Sequence, residues 1–147
     1  MTEHHRKIIV DLITRMLSRR EHAYQEVLHK LQQKDQHYSQ CIPILDEFKL
    51  ADIQSDTRYA SMRVRSGAAK GQGPERIRRE CQQWQVDSNA IESAMAENDI
   101  DWFELAKQVR VKKFGETLPA DQKLKFKQIR FLQYRGFNAE QINYAFE

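Results

Sequence analysis

The stretch RSGAAKGQGPERIRRE, residues 65–80, packs three of the chain's five glycines, one of its three prolines and five Lys/Arg into sixteen positions. Two readings of it lead to different folds. A glycine loop that grips phosphate belongs to an α/β protein, whereas a turn feeding a basic helix belongs to an all-α one. The Walker pattern needs Lys and a hydroxyl residue directly after its last glycine, but Gly73 is followed by Pro74 and Glu75. The dinucleotide pattern GxGxxG fails as well, because Arg76 stands at the third glycine position and no βαβ pattern surrounds it. The helical reading is direct. One helix ends over residues 67–70, the glycines take the turn, and Pro74 opens the next helix, where a missing N–H costs little. In that helix Ile77, Cys81 and Trp84 share one face, Arg76, Arg79 and Gln83 share another, and Arg78 flanks the second. Glycines and free amides at its start would admit either another backbone or a phosphate.

Outward from this stretch the periodicity stays helical. Tyr24, Val27, Leu28 and Leu31 follow the i, i+3, i+4, i+7 rule, and Phe126, Ile129, Leu132 and Phe131 are read as a further apolar series. No run alternates with period two, so strands are not expected. Asp101 with Glu104, and Asn138 with Gln141, have capping-box spacing. Pro119, like Pro74, suits a first helical turn, while Gly115 and Gly136 follow Lys/Arg-rich helices as terminators. Pro43 requires its helix to begin near Ser39 or Gln40, within about one turn, or else to kink. Apolar series ending at Leu31, Cys81 and Leu132 lie about fifty residues apart, each followed about ten residues later by Ile42/Leu45, Ile91/Ala94 or Ile142/Ala145. The expected architecture is all-α: an elongated, solenoid-like tandem array of three three-helix, helix-turn-helix-like repeats at 1–54, 55–100 and 101–147. Each repeat would hold a long first helix, a basic second one and a short third one.

Charge is segregated along the chain. Residues 58–80 carry a net +5, residues 87–104 a net −6 without any Lys or Arg, and residues 107–135 a net +7, within an overall +3. Separate positive surfaces suit a polyanion or an acidic protein groove. Asp11 interrupts the first apolar run after three residues, so MTEHHRKIIVDLITRM does not read as a signal peptide, and no stretch approaches the roughly 20 apolar residues of a membrane span. Cys41 and Cys81 are unclustered, and Cys81 falls in an apolar series, so a buried free thiol is expected. The chain therefore reads as cytoplasmic. The five histidines show no HExxH and no zinc spacing. Asp99 and Asp101 suit a cap and first turn better than an acid–base pair. Neither enzyme activity nor a metal or cofactor is expected. Tyr59, Trp102, Phe114, Phe126, Phe131, Tyr134 and Phe137 interleave with the basic segments, a pattern compatible with core packing or with stacking on single-stranded bases.

These residues resemble the RecX family of bacterial RecA modulators over nearly the whole chain. In the first repeat, RREHAYQEVLHKL carries Arg19, Arg20, Glu21, Glu26, Lys30 and Leu31 of the family pattern, with Ala23 in place of a usual Ser or Thr and its side-chain cap lost. In the second, RYASMRVRSGAAKGQGPERIRREC fits through Arg58, Tyr59, Ala60, Arg65, Ser66, Lys70, Gly71, Gly73, Pro74, Ile77 and Glu80, with Cys81 for a usual Leu. In the third, KQIRFLQYRGFNAEQI fits through Lys127, Phe131, Leu132, Arg135, Gly136, Phe137 and Ile142. The resemblance implies a monomeric, non-enzymatic protein that lies in the helical groove of the RecA nucleoprotein filament on single-stranded DNA. There it would block filament extension and depress ATPase, strand-exchange and co-protease activities. Contacts to RecA or DNA are expected from Arg63, Arg65, Lys70, Arg76, Arg79, Lys123, Lys127 and Arg130. The alternative is a tandem helix-turn-helix-like DNA-binding protein that acts on duplex without RecA, although no dimer signature or recognition-helix pairing accompanies it. A nuclease would need acids clustered beside a metal.

Overall fold

Helical periodicity with no period-two run should fold without a sheet, and the described residues of the computed structural model form helices joined by short loops. It describes residues 2–34 and 36–147, Tyr38 by its backbone alone. Among the described residues there are nine helices and no strand: α1 Glu3–Arg19, α2 Tyr24–Gln33, α3 Tyr38–Leu50, α4 Asp56–Ala69, α5 Pro74–Gln83, α6 Ser88–Asn98, α7 Trp102–Phe114, α8 Gln122–Arg135 and α9 Ala139–Ala145. The third helix of each expected trio is short only at the end of the chain, where α9 has 7 residues against 13 in α3 and 11 in α6.

Local chemistry sets most helix ends. Asn138 and Gln141 form the expected capping box, each side chain accepting from the other's amide at 2.9 Å. Asp101 accepts from the Glu104 amide at 3.1 Å, but the Glu104 carboxylate turns away to accept from the Tyr144 hydroxyl at 3.3 Å. Helices α7 and α8 stop before Gly115 and Gly136, both at positive φ. Pro119 is a correction: it lies in the loop, and Asp121 starts α8 by accepting from the Leu124 amide at 2.8 Å. A side-chain acceptor next to the helix outcompetes a proline two residues further out. Helix α3 begins at Tyr38, slightly earlier than expected, so Pro43 lies inside it.

The chain packs as two compact units, Met1–Met62 with Cys81–Ile91, and Arg63–Glu80 with Glu92–Glu147. In the first unit Ile9, Ile13 and Met16 of α1, Val27, Leu28 and Leu31 of α2, and Cys41, Ile44 and Leu45 of α3 form one core. Cys41 and Cys81 are buried and unbridged.

The basic-acidic motif ahead of α2 braces this unit. Ala23 has no capping oxygen, but two carboxylates satisfy neighbouring amides at this helix start: the Ala23 amide donates to Glu26 at 3.2 Å, and the Tyr24 amide donates to Asp56 of α4 at 2.8 Å. Arg20 donates twice to Glu26, at 2.6 and 3.2 Å. Burial works against the Glu26 charge, but Arg20, with His22 and the Ala23 amide, holds the carboxyl below its ordinary range. Arg58 donates from Nε to Glu21 at 2.7 Å and from Nη2 to the carbonyls of Asp52 and Ile53 at 2.7 and 3.1 Å, tying α4 to the chain leaving α3. His22, only 3% exposed, sits between Lys30 and the Arg20 carbonyl. A lysine can only donate and a carbonyl can only accept, so neutral His22 carries its proton on Nδ1.

The second unit has a core of Ala106, Leu132, Phe137, Ile142 and Ala145, flanked by Leu105, Val109, Ile129, Phe131 and Phe146. Arg110, 2% exposed, is part of it. Its Nε donates to the Ala145 carbonyl at 2.7 Å, and its guanidinium lies 5.3 Å from the Phe146 ring centre. One of the cations counted in the basic segment 107–135 is thus an interior strut that satisfies the last turn of α9. Phe126 is a second correction: it is 64% exposed rather than core. Steps of three from 126 to 129 to 132 drift about 60° each against the helix period, which carries Phe126 off the face that buries Leu132.

Candidate functional site

The glycine turn serves packing, and the structure decides between its two admissible neighbours. The amide of Gly73 donates to the Arg135 carbonyl at 2.7 Å, and that of Glu75 donates to the Gly136 carbonyl at 3.0 Å. The start of α5 therefore abuts the end of α8, donors against acceptors and the positive dipole end against the negative. A Cβ on Gly73 would stand 2.4 Å from the Gly136 carbonyl carbon, and one on Gly136 would stand 2.4 Å from Arg76 Cβ. Another backbone occupies the place a phosphate would take. Arg135 completes the joint by donating to the Lys70 carbonyl at 3.0 Å.

The eight sequence candidates do not form one cluster. Arg63 is buried, donating to Ser66 at 2.8 Å, to Gln72 at 2.9 Å and to Glu80 at 2.5 Å. Arg76 is half-buried, 3.6 Å from Glu80, with its guanidinium 5.7 Å from the Tyr134 ring centre. Its neighbour Arg78 is taken up by Glu75 and Glu92 at 2.7 and 2.9 Å. Arg65, Lys70 and Arg79 are exposed.

Lys123, Lys127 and Arg130 come together on the outward face of α8. All three are exposed, and among the described residues none of them pairs with a carboxylate. Positions 123, 126, 127, 130 and 134 fall within about 100° of helical arc, opposite the buried Gln128 and Leu132. The stripe therefore also presents Phe126 and Tyr134, 64% and 77% exposed. A shallow depression of about 530 Å³ runs along it, lined by Gln122, Lys123, Phe126, Lys127 and Arg130. Arg76 of α5 reaches its far end through the contact with Tyr134. The arrangement can neutralise successive phosphates while offering open rings to unstacked bases. Sequence reasoning found the three cations, but it placed Phe126 in the core and did not single out Arg110. A buried arginine and an exposed one look the same in a sequence when the partner is a carbonyl 35 residues away.

Among the described residues no three His, Cys, Asp or Glu gather as metal ligands, and none of the described helices is long and apolar enough to cross a membrane.

Comparison with known proteins gives a consistent result. Family models for the second and third three-helix domains of RecX match residues 55–95 and 99–146. The regulatory protein RecX of Vibrio vulnificus (strain CMCP6) is 45% identical over 136 residues, which span 92% of this chain and 88% of that protein. The regulatory protein RecX of Acinetobacter baylyi is 40% identical over 127 residues, 86% of this chain and 79% of its own length. A crystal structure of RecX from Lactobacillus salivarius superposes with a TM-score of 0.73 at 19% identity, covering 98% of this chain and 96% of that one. A crystal structure of regulatory protein RecX also gives 0.73, at 21% identity, over 95% of this chain and 70% of that one. Both structures speak to the shared all-helical fold alone.

Proposed function

The chain belongs to the RecX family, and from that membership we propose that it is a non-enzymatic regulator of the RecA recombinase. It lies in the groove of the RecA filament on single-stranded DNA and inhibits filament extension, ATPase, strand exchange and co-protease activity. It does so as a monomer in the cytoplasm, with 1–54, 55–100 and 101–147 as its successive repeats. The observation that carries the reading is the outward face of α8, where Lys123, Lys127 and Arg130 stand unpaired among the described residues beside two exposed rings. Open aromatic faces suit single-stranded DNA, whose bases can splay onto them, better than the edges of a duplex groove. Arg79, Arg65 and Lys70 extend the positive surface of the second unit, and Arg76 anchors Tyr134. Arg63 contributes through the fold. The binding is partly electrostatic and weakens as salt rises.

Titrating the protein into a RecA ATPase reaction on single-stranded DNA tests the reading. Inhibition at substoichiometric ratios is expected, and an unchanged ATPase rate overturns it. Sequence-specific duplex binding at physiological salt without RecA would instead favour direct action on DNA.

A further inference from the structure

A second cleft in the same unit has a different chemistry from the α8 stripe. It opens between the end of α4, α7 and α8 and holds about 530 Å³, within the range of about 300–1,000 Å³ usual for ligand sites. Lys70, Lys112, Lys113 and Arg135 line it, and no carboxylate does. Its floor is aliphatic where Leu105 and Val109 meet. The one ring present, Phe131, is already occupied. The guanidinium of Arg135 lies 5.1 Å and the Lys113 ammonium 5.7 Å from its centre, and Phe114 packs edge-on at 5.3 Å. No open aromatic face remains for a base to stack on.

We propose that this cleft docks an acidic peptide segment of a protein partner, with an aliphatic side chain against Leu105 and Val109 and carboxylates beside Lys112, Lys113 and Arg135. Charge complementarity carries the choice of occupant: four cations around an aliphatic floor match neighbouring carboxylates and a branched apolar side chain. Arg135 is held in place by its bond to the Lys70 carbonyl, so its remaining N–H groups form a preorganised fork for a carboxylate. One unit thereby offers a nucleic-acid face on α8 and a peptide cleft beside α7. The inference rests on the regulatory reading above and deepens it by giving the chemistry of the protein contact. Its test contains no recombinase, so the two fail separately.

The probe is a fluorescein-labelled peptide with a Glu-Leu-Leu-Glu-Asp core, followed by fluorescence anisotropy. Controls are the same peptide with its acids replaced by amides, the same peptide with serines for leucines, and labelled oligothymidylate. Saturable binding of the acidic leucine peptide is expected. K112E/K113E, both exposed positions, should weaken it at least about tenfold, and K123E/K127E should change it by less than about twofold. Both control peptides should bind more weakly. Absence of saturable binding overturns the proposal, as does equal weakening by the two variant pairs, which would mean diffuse attraction to positive charge. Oligothymidylate binding that depends on Lys112 and Lys113 more than peptide binding does would assign the cleft to nucleic acid and overturn it too.

Discussion

Replacing Gly73 by alanine tests the joint between α5 and α8 with a single methyl group. Gly73 is not at positive φ, so backbone preference is not at issue and space alone decides. The new Cβ would lie 2.4 Å from the carbonyl carbon and oxygen of Gly136 and 2.6 Å from the Phe137 amide nitrogen. These are backbone atoms and cannot swing aside. Reaching ordinary contact requires the two helix ends to part by about an ångström. That displacement stretches the bonds Gly73 N–H to Arg135 and Glu75 N–H to Gly136, 2.7 and 3.0 Å long, past useful length. Two backbone bonds at about 0.5–1.5 kcal/mol each, plus about 1–3 kcal/mol of repacking, give a loss of about 2–6 kcal/mol. For a domain of this size about 1 kcal/mol moves Tm by about 3 °C, so the melt should fall by about 6–18 °C. Far-UV circular dichroism reads the melt, and hydrogen exchange reads the Gly73 and Glu75 amides, which should lose protection together. A variant melting within about 2 °C of the parent, with both amides still protected, would refute the abutment.

Three further outcomes follow from named contacts. R110A removes a buried side chain and orphans the Ala145 carbonyl, so urea denaturation should show a loss of about 2–5 kcal/mol. F126A/Y134A removes two exposed rings and should leave urea stability within about 0.5 kcal/mol. It should also weaken oligothymidylate binding by about tenfold or more, read by anisotropy. His22 makes stability pH-dependent. Burial is the largest influence and lowers its pKa, with the charges of Arg20 and Lys30 acting in the same direction. The unfolded chain therefore binds a proton at pH values where folded His22 is still neutral. Its contribution is fully present above about pH 6.5 and is lost as pH falls from there through the folded value, with a slope of at most about 1.4 kcal/mol per unit. Urea midpoints for the parent and H22Q on either side of that window check this, and a parent no more pH-sensitive than the variant would contradict it.

What was legible in the sequence was what short-range chemistry decides. Helix ends at Pro74, Gly115, Gly136 and Asn138 depend on residues within a few positions, and all four fall as expected. Pro119 misled because the nearby Asp121 was the stronger start signal. Longer-range partners were not legible. Gly73 and Gly136 share a contact across 63 residues of sequence, the glycines accommodating a second backbone that only the fold supplies. Arg63 meets Glu80 through tertiary packing, so its charge could not be told from that of Arg79 by spacing. Lys123, Lys127 and Arg130 were recognisable because they share one helix face, whereas the cleft around Lys112 and Lys113 draws on three helices.

The central claim is that the outward face of α8 is what engages the filament, and the most direct measurement compares parent and K123E/K127E/R130E in the RecA ATPase titration on single-stranded DNA. These side chains are exposed and pair with no carboxylate among the described residues, so the variant should keep its parent's melting temperature. Its half-inhibiting concentration should rise by about tenfold or more, and the difference should shrink as salt rises. A triple variant that folds normally and inhibits as strongly as the parent would contradict the account.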